Sequence, residues 1–409
     1  MSTELFALYG GTFSPPHRGH VHAARAFYEA VKPDRLLIIP AATPPHKVPV
    51  GGATNADRLR MCQIAFSSIP NTEISDMELK REGKSYTVTT LRELTAKGRT
   101  LLFLVGTDMF LTLDRWYLHE EIFALTEIAV MRRESDAALT PQIMAKAEEY
   151  RARYHARIRF IEESPVSVSS TELRTAIREG RPCDDLLLPE VAEYIEKNGL
   201  YRPVNMADVD ALREEMSRRI GERRFAHTLG VEETIAELGR RYLPDDVARL
   251  RVAALLHDVT KEWDDGAQLA FCEKNGIKVS EAAATAPRVL HALTGAAVAA
   301  REFPRLVDST IYLAIARHTV GAPEMCVFDK LLYLADYIDP TRKYPECIAL
   351  RRAFFEGYDS AAAPLLHLDK ILLEAFLATE KEVLARGGVM SPETPATIAA
   401  LKEAIAGRE

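Results

Sequence analysis

The sequence predicts a doubly wound, Rossmann-like α/β domain over residues 1–202, a linker at 203–207 and an all-α domain over 208–409. Three observations carry this. The first half alternates short apolar runs with helix-like segments, the pattern of a parallel sheet covered by helices. The second half keeps helical spacing and shows no strand-like alternation. Between them, "LYRPVNMADVD" (Leu200–Asp210) offers a proline and a polar turn. A chain of 409 residues is long for one domain and natural for two.

Five runs of the first half read as strands: Leu5–Gly10, Arg35–Pro40, Leu101–Gly106, Glu127–Met131 and Ile158–Glu162. They are apolar on successive residues, as strands buried on both faces must be. Helical patterns fall at Gly19–Ala30, Arg58–Ser68 and Tyr86–Ala96. In the second half "DALREEMSRRI", "VEETIAELGRRY" and "VARLRVAALLHDV" repeat apolar residues every three or four positions, and "YLPDD" and "EFPR" break the helices.

Composition excludes several classes. Hydrophobic residues make up 47% and charged residues 27%, ordinary for a globular chain. A net charge of −7 gives no reason to expect a nucleic-acid partner. The five cysteines, 62, 183, 272, 326 and 347, show no C-x-x-C spacing, which suits a reducing compartment rather than a disulfide framework or thiolate zinc site. "MSTELFALYGG" lacks the charged and apolar regions of a signal peptide, and no window approaches ~20 uninterrupted apolar residues. No membrane association and a cytoplasmic location are therefore expected.

The string "GGTFSPPHRGH" (Gly10–His20) leaves the first strand and opens a helix. Ligands of open α/β sheets bind at the carboxyl ends of strands. Glycines there let a ligand approach the backbone, and a helix N-terminus offers unpaired N–H groups to a phosphate. His17 and His20, three apart, face the same way and can both donate to a polyphosphate.

This string resembles the H-x-G-H nucleotidyltransferase signature, and more narrowly bacterial nicotinate-nucleotide adenylyltransferases. "PAATPPHK" (Pro40–Lys47), "REGKSYTVTTL" (Arg81–Leu91), "LLFLVGTDMFLTLDRWY" (Leu101–Tyr117), "VSSTELR" (Val168–Arg174) and "LLPEVAEYIEKNGLY" (Leu187–Tyr201) resemble that family's further segments in order. The resemblance implies AMP transfer from ATP to nicotinate mononucleotide, with Mg²⁺ carried in by the ATP. It implies His17 and His20 as the catalytic pair. Gly10, Gly11, Thr12, Phe13, Lys47, Gly106, Asp108, Ser170, Thr171 and Arg174 would meet ATP and its phosphates, Asp108 at the ribose. Thr87, Trp116 and Tyr117 would read nicotinate, with Trp116 stacked on the pyridine ring. Read without the resemblance, Trp116 is a core aromatic, His46 and Lys47 a solvated loop tip, and Ser169–Thr171 an N-cap. Thr171 is expected both to cap and to bind.

In the second half, His257 and Asp258 stand together in the apolar "LLHDVTK". A buried carboxylate needs a partner. His227, His291 and His318 occupy separate helix-like segments, and Asp336 lies in "LYLADYIDP". Imidazoles and carboxylates without thiolate suit Fe, Mn, Zn or Co, iron being the first expectation. The pattern resembles HD-domain metallohydrolases, and more narrowly the bacterial HD family that splits diadenosine tetraphosphate into two ADP. The resemblance implies two divalent metals held by His227, His257, Asp258, His291, His318 and Asp336, with Asp258 bridging and catalytic. Arg224, Lys261, Thr319 and Arg342 would hold nucleotide phosphates. His367 lies outside the motifs and is taken as structural or exposed.

The expectation is thus a bifunctional enzyme of nucleotide metabolism, without nucleic-acid partner. A homo-oligomer stays open. So do three alternatives: an HD domain acting on another nucleotide, an HD domain that binds metal and ADP as a regulatory module, and an N-terminal preference for nicotinamide mononucleotide.

Overall fold

The computed structural model describes residues 4–41, 51–81, 86–95, 99–131, 140–162, 168–279, 283–284, 289–358 and 363–408. The chain divides into two compact units, residues 1–47 with 53–203, and 48–52 with 204–409.

The first unit is built on a six-stranded parallel sheet: β1 (Glu4–Gly11), β2 (Arg35–Pro40), β3 (Thr72–Ile74), β4 (Arg99–Gly106), β5 (Glu127–Met131) and β6 (Ile158–Ile161). The strand order is β3-β2-β1-β4-β5-β6. Five strands match the predicted runs. β3 was not foreseen: three partly exposed residues at the sheet edge give no apolar run to detect.

Alternate strand residues feed two cores, as a two-residue side-chain period requires. Ala7, Tyr9, Leu36, Ile38, Leu102 and Leu104 face one layer. It is covered by α1 (Arg18–Val31), α2 (Asn55–Ala65), α7 (Ser170–Arg178) and α8 (Pro189–Lys197) through Phe27, Met61, Leu173 and Val191. Phe6, Leu8, Leu37, Ile39, Phe103 and Val105 face the other. Leu91 of α3 (Thr87–Leu94), Phe110 of α4 (Thr107–Phe110), Ile122 of α5 (His119–Leu125) and Tyr150 of α6 (Thr140–Tyr154) cover that side. The order reverses between β1 and β4, which makes their carboxyl ends the switch-point crevice of a doubly wound sheet.

Among its described residues the second unit holds helices joined by turns and no strand. Its helices are α9 (Met206–Arg219), α10 (Glu222–Tyr242), α11 (Val247–Leu256), α12 (Asp265–Lys274), α13 (Leu290–Glu302), α14 (Ser309–Arg317), α15 (Val327–Ile338), α16 (Pro345–Tyr358), α17 (Pro364–Ala385) and α18 (Glu393–Ala406). Leu250 and Val252–Leu256 of α11 are all buried, so this helix runs through the core. Within the segment expected as linker, Asn205 and Asp208 form a capping box that starts α9 at Met206. No helix among the described residues is long and apolar enough to cross a membrane.

Candidate functional sites

In the first unit, β1 ends at Gly10–Gly11, and the chain turns through Thr12–Pro16 into α1. Phe13 takes φ 46°, a left-handed conformation uncommon for a bulky residue and a sign that the loop is over-determined. Its ring is buried against Tyr9, His20 and Phe66, so Phe13 can meet a ligand only through its backbone. A Cβ on Gly11 would fall 2.9 Å from that ring, which is why position 11 is glycine.

His17 is the N-cap of α1 and His20 its third residue. The His17 Nδ1 accepts from the His20 backbone N–H, and the His20 Nδ1 accepts from the His17 backbone N–H, both at 3.3 Å. Their rings stack at 3.7 Å. With Nδ1 committed as acceptor, each neutral ring carries its proton on Nε2, the donor an anionic phosphate oxygen needs. The reciprocal cap thus sets the spacing and tautomer of both imidazoles.

The start of α7 reaches the same loop. Ser170 Oγ donates to Pro15 O at 3.2 Å, and Arg174 Nη1 to Ser14 O at 2.7 Å. Arg174 also donates to Thr171 Oγ1 at 3.0 Å. The capping expectation is corrected: Ser169, not Thr171, caps α7, because its side chain accepts from the Thr171 backbone N–H. Thr171 is exposed inside the first turn. Gly106 ends β4 and caps α4, with Asp108 exposed in the first turn. Trp116 is half-buried, edge-on to Phe103 at 6.5 Å, so it is neither fully core nor fully free. Tyr117 is exposed and contacts Tyr86, the residue before Thr87, at 4.7 Å. The residues expected to read nicotinate therefore share one neighbourhood. Lys47 and His46 lie outside the described residues.

One residue of the first unit was missed. Arg58, 4% exposed, donates to Thr12 O at 2.7 Å, to Ala41 O at 2.6 Å and to Asn55 Oδ1 at 2.6 Å. It ties the loop after β1 to the end of β2. An arginine in the apolar register of a helix is the only sequence signal it leaves.

In the second unit the six expected ligands converge. His227 sits on α10, His257 caps the C-terminus of α11, His291 is second in α13, His318 caps the C-terminus of α14 and Asp336 is on α15. Asp258 Oδ1 lies 3.2 Å from His291 Nε2 and 3.6 Å from His318 Nε2. Its Oδ2 lies 3.4 Å from His257 Nε2. Asp336 Oδ1 is 3.0 Å from His227 Nε2 and 4.0 Å from His257 Nε2. Two sets thus share Asp258 through different oxygens: His227, His257 and Asp336 on one side, His291 and His318 on the other. Within each of four residue trios drawn from His227, His257, Asp258, His291, His318, Asp336 and Asp339, the donor atoms lie within 4.8 Å of one another.

Helix ends orient two of the rings. His257 Nδ1 donates to Ala254 O and His318 Nδ1 to Ile315 O, each at 2.6 Å. Those carbonyls belong to last turns, which lack helical donors. Both rings are thereby turned with Nε2 inward. His257 Nε2 is buried and has no hydrogen-bond partner among the described residues, which is costly unless something else occupies that lone pair.

The electrostatics agree with a cation site. Burial pushes His291 down to about 4, keeping it neutral as a ligand must be. Burial opposes ionisation of Asp258 and Asp336, but neighbouring histidines, and Arg342 beside Asp336, hold both well below the ordinary carboxylate value. For His227, burial is outweighed by Asp336 and Asp339, which push it up to about 9. Asp339 is wholly buried and was not among the expected residues.

The expected phosphate-binding side chains surround this cluster. Arg224 Nη1 donates to Asp258 Oδ2 at 2.6 Å, and Arg342 Nη2 to Asp336 Oδ1 at 2.5 Å. Lys261 Nζ lies 3.0 Å from His291 Nε2, and burial lowers its ammonium from the ordinary value. Thr319 Oγ1 is buried without a hydrogen-bond partner among the described residues. His367 stays apart, stacked on Phe354.

Residues 8–176 match the cytidylyltransferase-like family and residues 224–341 the HD domain. A probable nicotinate-nucleotide adenylyltransferase of Caldicellulosiruptor saccharolyticus is 34% identical over 196 residues, 48% of this chain and 98% of the relative. Another, of Trichlorobacter lovleyi, is 36% identical over 210 residues, with the same shares covered. A solved structure described as a predicted HD superfamily hydrolase involved in NAD metabolism, from Clostridium acetobutylicum, is 29% identical. It covers 48% of this chain and 97% of its own, with a TM-score of 0.43.

Proposed function

We propose a bifunctional enzyme, from the premise that the chain belongs in its N-terminal half to the nicotinate-nucleotide adenylyltransferase family and carries an HD domain behind it. The N-terminal domain transfers AMP from ATP to nicotinate mononucleotide. The reciprocally capped His17–His20 pair at the switch point carries this reading. A phosphate oxygen of the mononucleotide forms a bond to the α-phosphorus of ATP, the bond to the β-phosphate oxygen breaks, and pyrophosphate leaves. The nucleophile is already an anion, so no general base is needed, and rate comes from positioning and charge stabilisation. His17 and His20 donate through Nε2 to the reacting phosphates. Lys47, Ser170, Thr171, Arg174 and the α7 N-terminus meet the remaining phosphate charge, and Ser170 and Arg174 also hold the loop that presents the two histidines. Gly106 and Asp108 meet the ribose, while Thr87, Trp116 and Tyr117 receive the pyridine ring and its carboxylate. Mg²⁺ enters with ATP.

The HD domain hydrolyses diadenosine tetraphosphate to two ADP. The convergence of five helices' ligands on Asp258 supports a two-metal site there. His227, His257, Asp258 and Asp336 would hold one divalent ion, iron first among the candidates, and Asp258, His291 and His318 the other. Such ions would supply hydroxide at neutral pH and would neutralise charge on the phosphate under attack. Arg224, Lys261, Thr319 and Arg342 bind the polyphosphate. Arg224 and Arg342, now bonded to Asp258 and Asp336, stand at the edge of the cluster where a polyphosphate would meet them.

Both activities are tested on the intact chain. With ATP, nicotinate mononucleotide should release pyrophosphate far faster than nicotinamide mononucleotide, and the reverse order overturns the acid preference. With Mn²⁺, or anaerobically with Fe²⁺, diadenosine tetraphosphate should give ADP alone. ATP with AMP as products, or faster turnover of a nucleoside triphosphate, refutes the symmetric hydrolase. Retained metal without turnover of any nucleotide means a regulatory module.

A further inference from the structure

His227 differs from the other ligands in its setting. His257 and His318 sit at helix C-termini, where a carbonyl of the last turn takes the Nδ1 proton. His227 lies inside α10, where the preceding carbonyls are already engaged in helical hydrogen bonds. Its Nδ1 therefore needs a partner from elsewhere in the fold. Two are present. Asp339 Oδ2 lies 3.2 Å from Nδ1, and Thr341 Oγ1 lies 3.3 Å from it.

The carboxylate is held for this purpose. Asp339 is the C-cap residue of α15 and is wholly buried. Its Oδ1 accepts from the Thr341 backbone N–H at 2.8 Å and from the Thr341 hydroxyl. Arg342 Nε lies 3.5 Å from Oδ2. The hydrogen bond of Nδ1 is to Thr341 Oγ1, and Asp339 Oδ2 lies beside the same nitrogen at ion-pair distance, outside hydrogen-bond geometry. α10 also makes room. Gly230, three residues on from His227, lies against the same group: a Cβ there would fall 2.8 Å from Asp339 Oδ1 and 3.1 Å from Thr341 Cγ2. Glycine is disfavoured inside a helix, so its presence calls for a packing reason, and the close approach of Asp339 supplies one.

We infer that Asp339 and Thr341, admitted by Gly230, position this ligand of the metal site: Thr341 Oγ1, which donates to Asp339 Oδ1, accepts the Nδ1 proton of His227, the adjacent Asp339 carboxylate favours that proton on Nδ1, and Nε2 is left as a lone pair for a cation held beside Asp336. Asp339 faces the Nδ1 edge of the ring while Asp336 faces Nε2, so Asp339 orients the ligand rather than joining it. A carboxylate on the far nitrogen also makes an imidazole a stronger ligand, an advantage the carbonyl-bonded His257 and His318 lack. This rests on reading the HD cluster as a metal site and not on any choice of substrate.

The test is titration of Mn²⁺ into the metal-depleted full-length protein, followed by calorimetry. If the wild-type protein binds no Mn²⁺, the metal reading itself fails. If it does, Asp339→Asn should weaken binding at one position by ~10–100-fold, the range for loss of an outer partner of a ligating histidine. Thr341→Val, which keeps volume and removes the hydroxyl that accepts from Nδ1 and braces Asp339, should give a loss in the same direction. Nitrogen-15 histidine spectra of the Zn²⁺-loaded protein should show an Nδ1–H tautomer for His227 that Asp339→Asn diminishes, a readout that a purely structural role leaves unmoved. Wild-type affinity in Asp339→Asn overturns the inference. Should that variant not fold, wild-type affinity in Thr341→Val, with an unchanged His227 spectrum, overturns it equally.

Discussion

Asp258→Asn is the sharpest perturbation of the HD site. Asparagine preserves volume, so the core around α11 is not opened, but it removes the charge and turns one oxygen into a donor that cannot ligate. Asp258 is 3% exposed, and its two oxygens address different imidazoles: Oδ1 lies 3.2 Å from His291 Nε2 and Oδ2 lies 3.4 Å from His257 Nε2. Losing a mere outer partner of a ligand costs ~10–100-fold. A bridging ligand touches both positions, so if the two losses multiply the expectation is ~100–10,000-fold, or about 3–5 kcal/mol. Arg224 loses its charged acceptor as well, and its guanidinium is left facing a neutral amide. His318→Ala removes one proposed terminal ligand and should hurt less. The assay is ADP release from diadenosine tetraphosphate with Mn²⁺, run beside elemental metal analysis and far-ultraviolet circular dichroism. A folded Asp258→Asn protein with full metal content and near-wild-type ADP release would show that Asp258 is a structural acid, and the two-metal assignment would fall.

Three further outcomes are expected. His20→Ala should lower adenylyl transfer at least ~100-fold, the scale for losing one charge-stabilising donor, while ADP release by the HD domain persists; retention of adenylyl transfer above a few per cent removes the catalytic role. Arg58→Met strands Thr12 O and Ala41 O, each bonded to a charged donor, and should cost about 3 kcal/mol or more in chemical denaturation together with ~100-fold in adenylyl transfer through loop misplacement. An Arg58→Met enzyme working within twofold of wild type would show that the clamp does not position the loop. A fragment of residues 204–409 should be more stable than one of 208–409 by about 1 kcal/mol, because the shorter piece loses the Asn205 cap of α9; equal melting temperatures would contradict that role.

What the sequence determined by itself was whatever is written locally. Apolar runs announced five of six strands, helical spacing announced the second unit, and the H-x-G-H and His257–Asp258 strings lay in short stretches whose backbone geometry follows from a few neighbours. The expected HD ligands were legible because buried histidines and carboxylates are rare enough in apolar helices to be noticed one at a time. What failed, failed for want of local signal. β3 is three half-exposed residues whose strand state comes from pairing with β2. Ser169 and Thr171 are both plausible caps on paper, and only the backbone angles of residue 169 and the resulting hydrogen bond chose between them. Arg58 reads as one more surface arginine until β1 and β2 are brought side by side and their carbonyls turn toward it. Asp339 carries no mark that separates it from Asp336 three residues earlier. The packing of α15 against α10 turns one carboxylate to Nε2 and the other to Nδ1 of the same ring, and that distinction exists only once two helices far apart in the chain meet at Gly230. Periodicity fixes which face of a helix is buried, but the partner of each polar group on that face is decided by long-range packing, where a shift of an ångström makes or breaks a hydrogen bond.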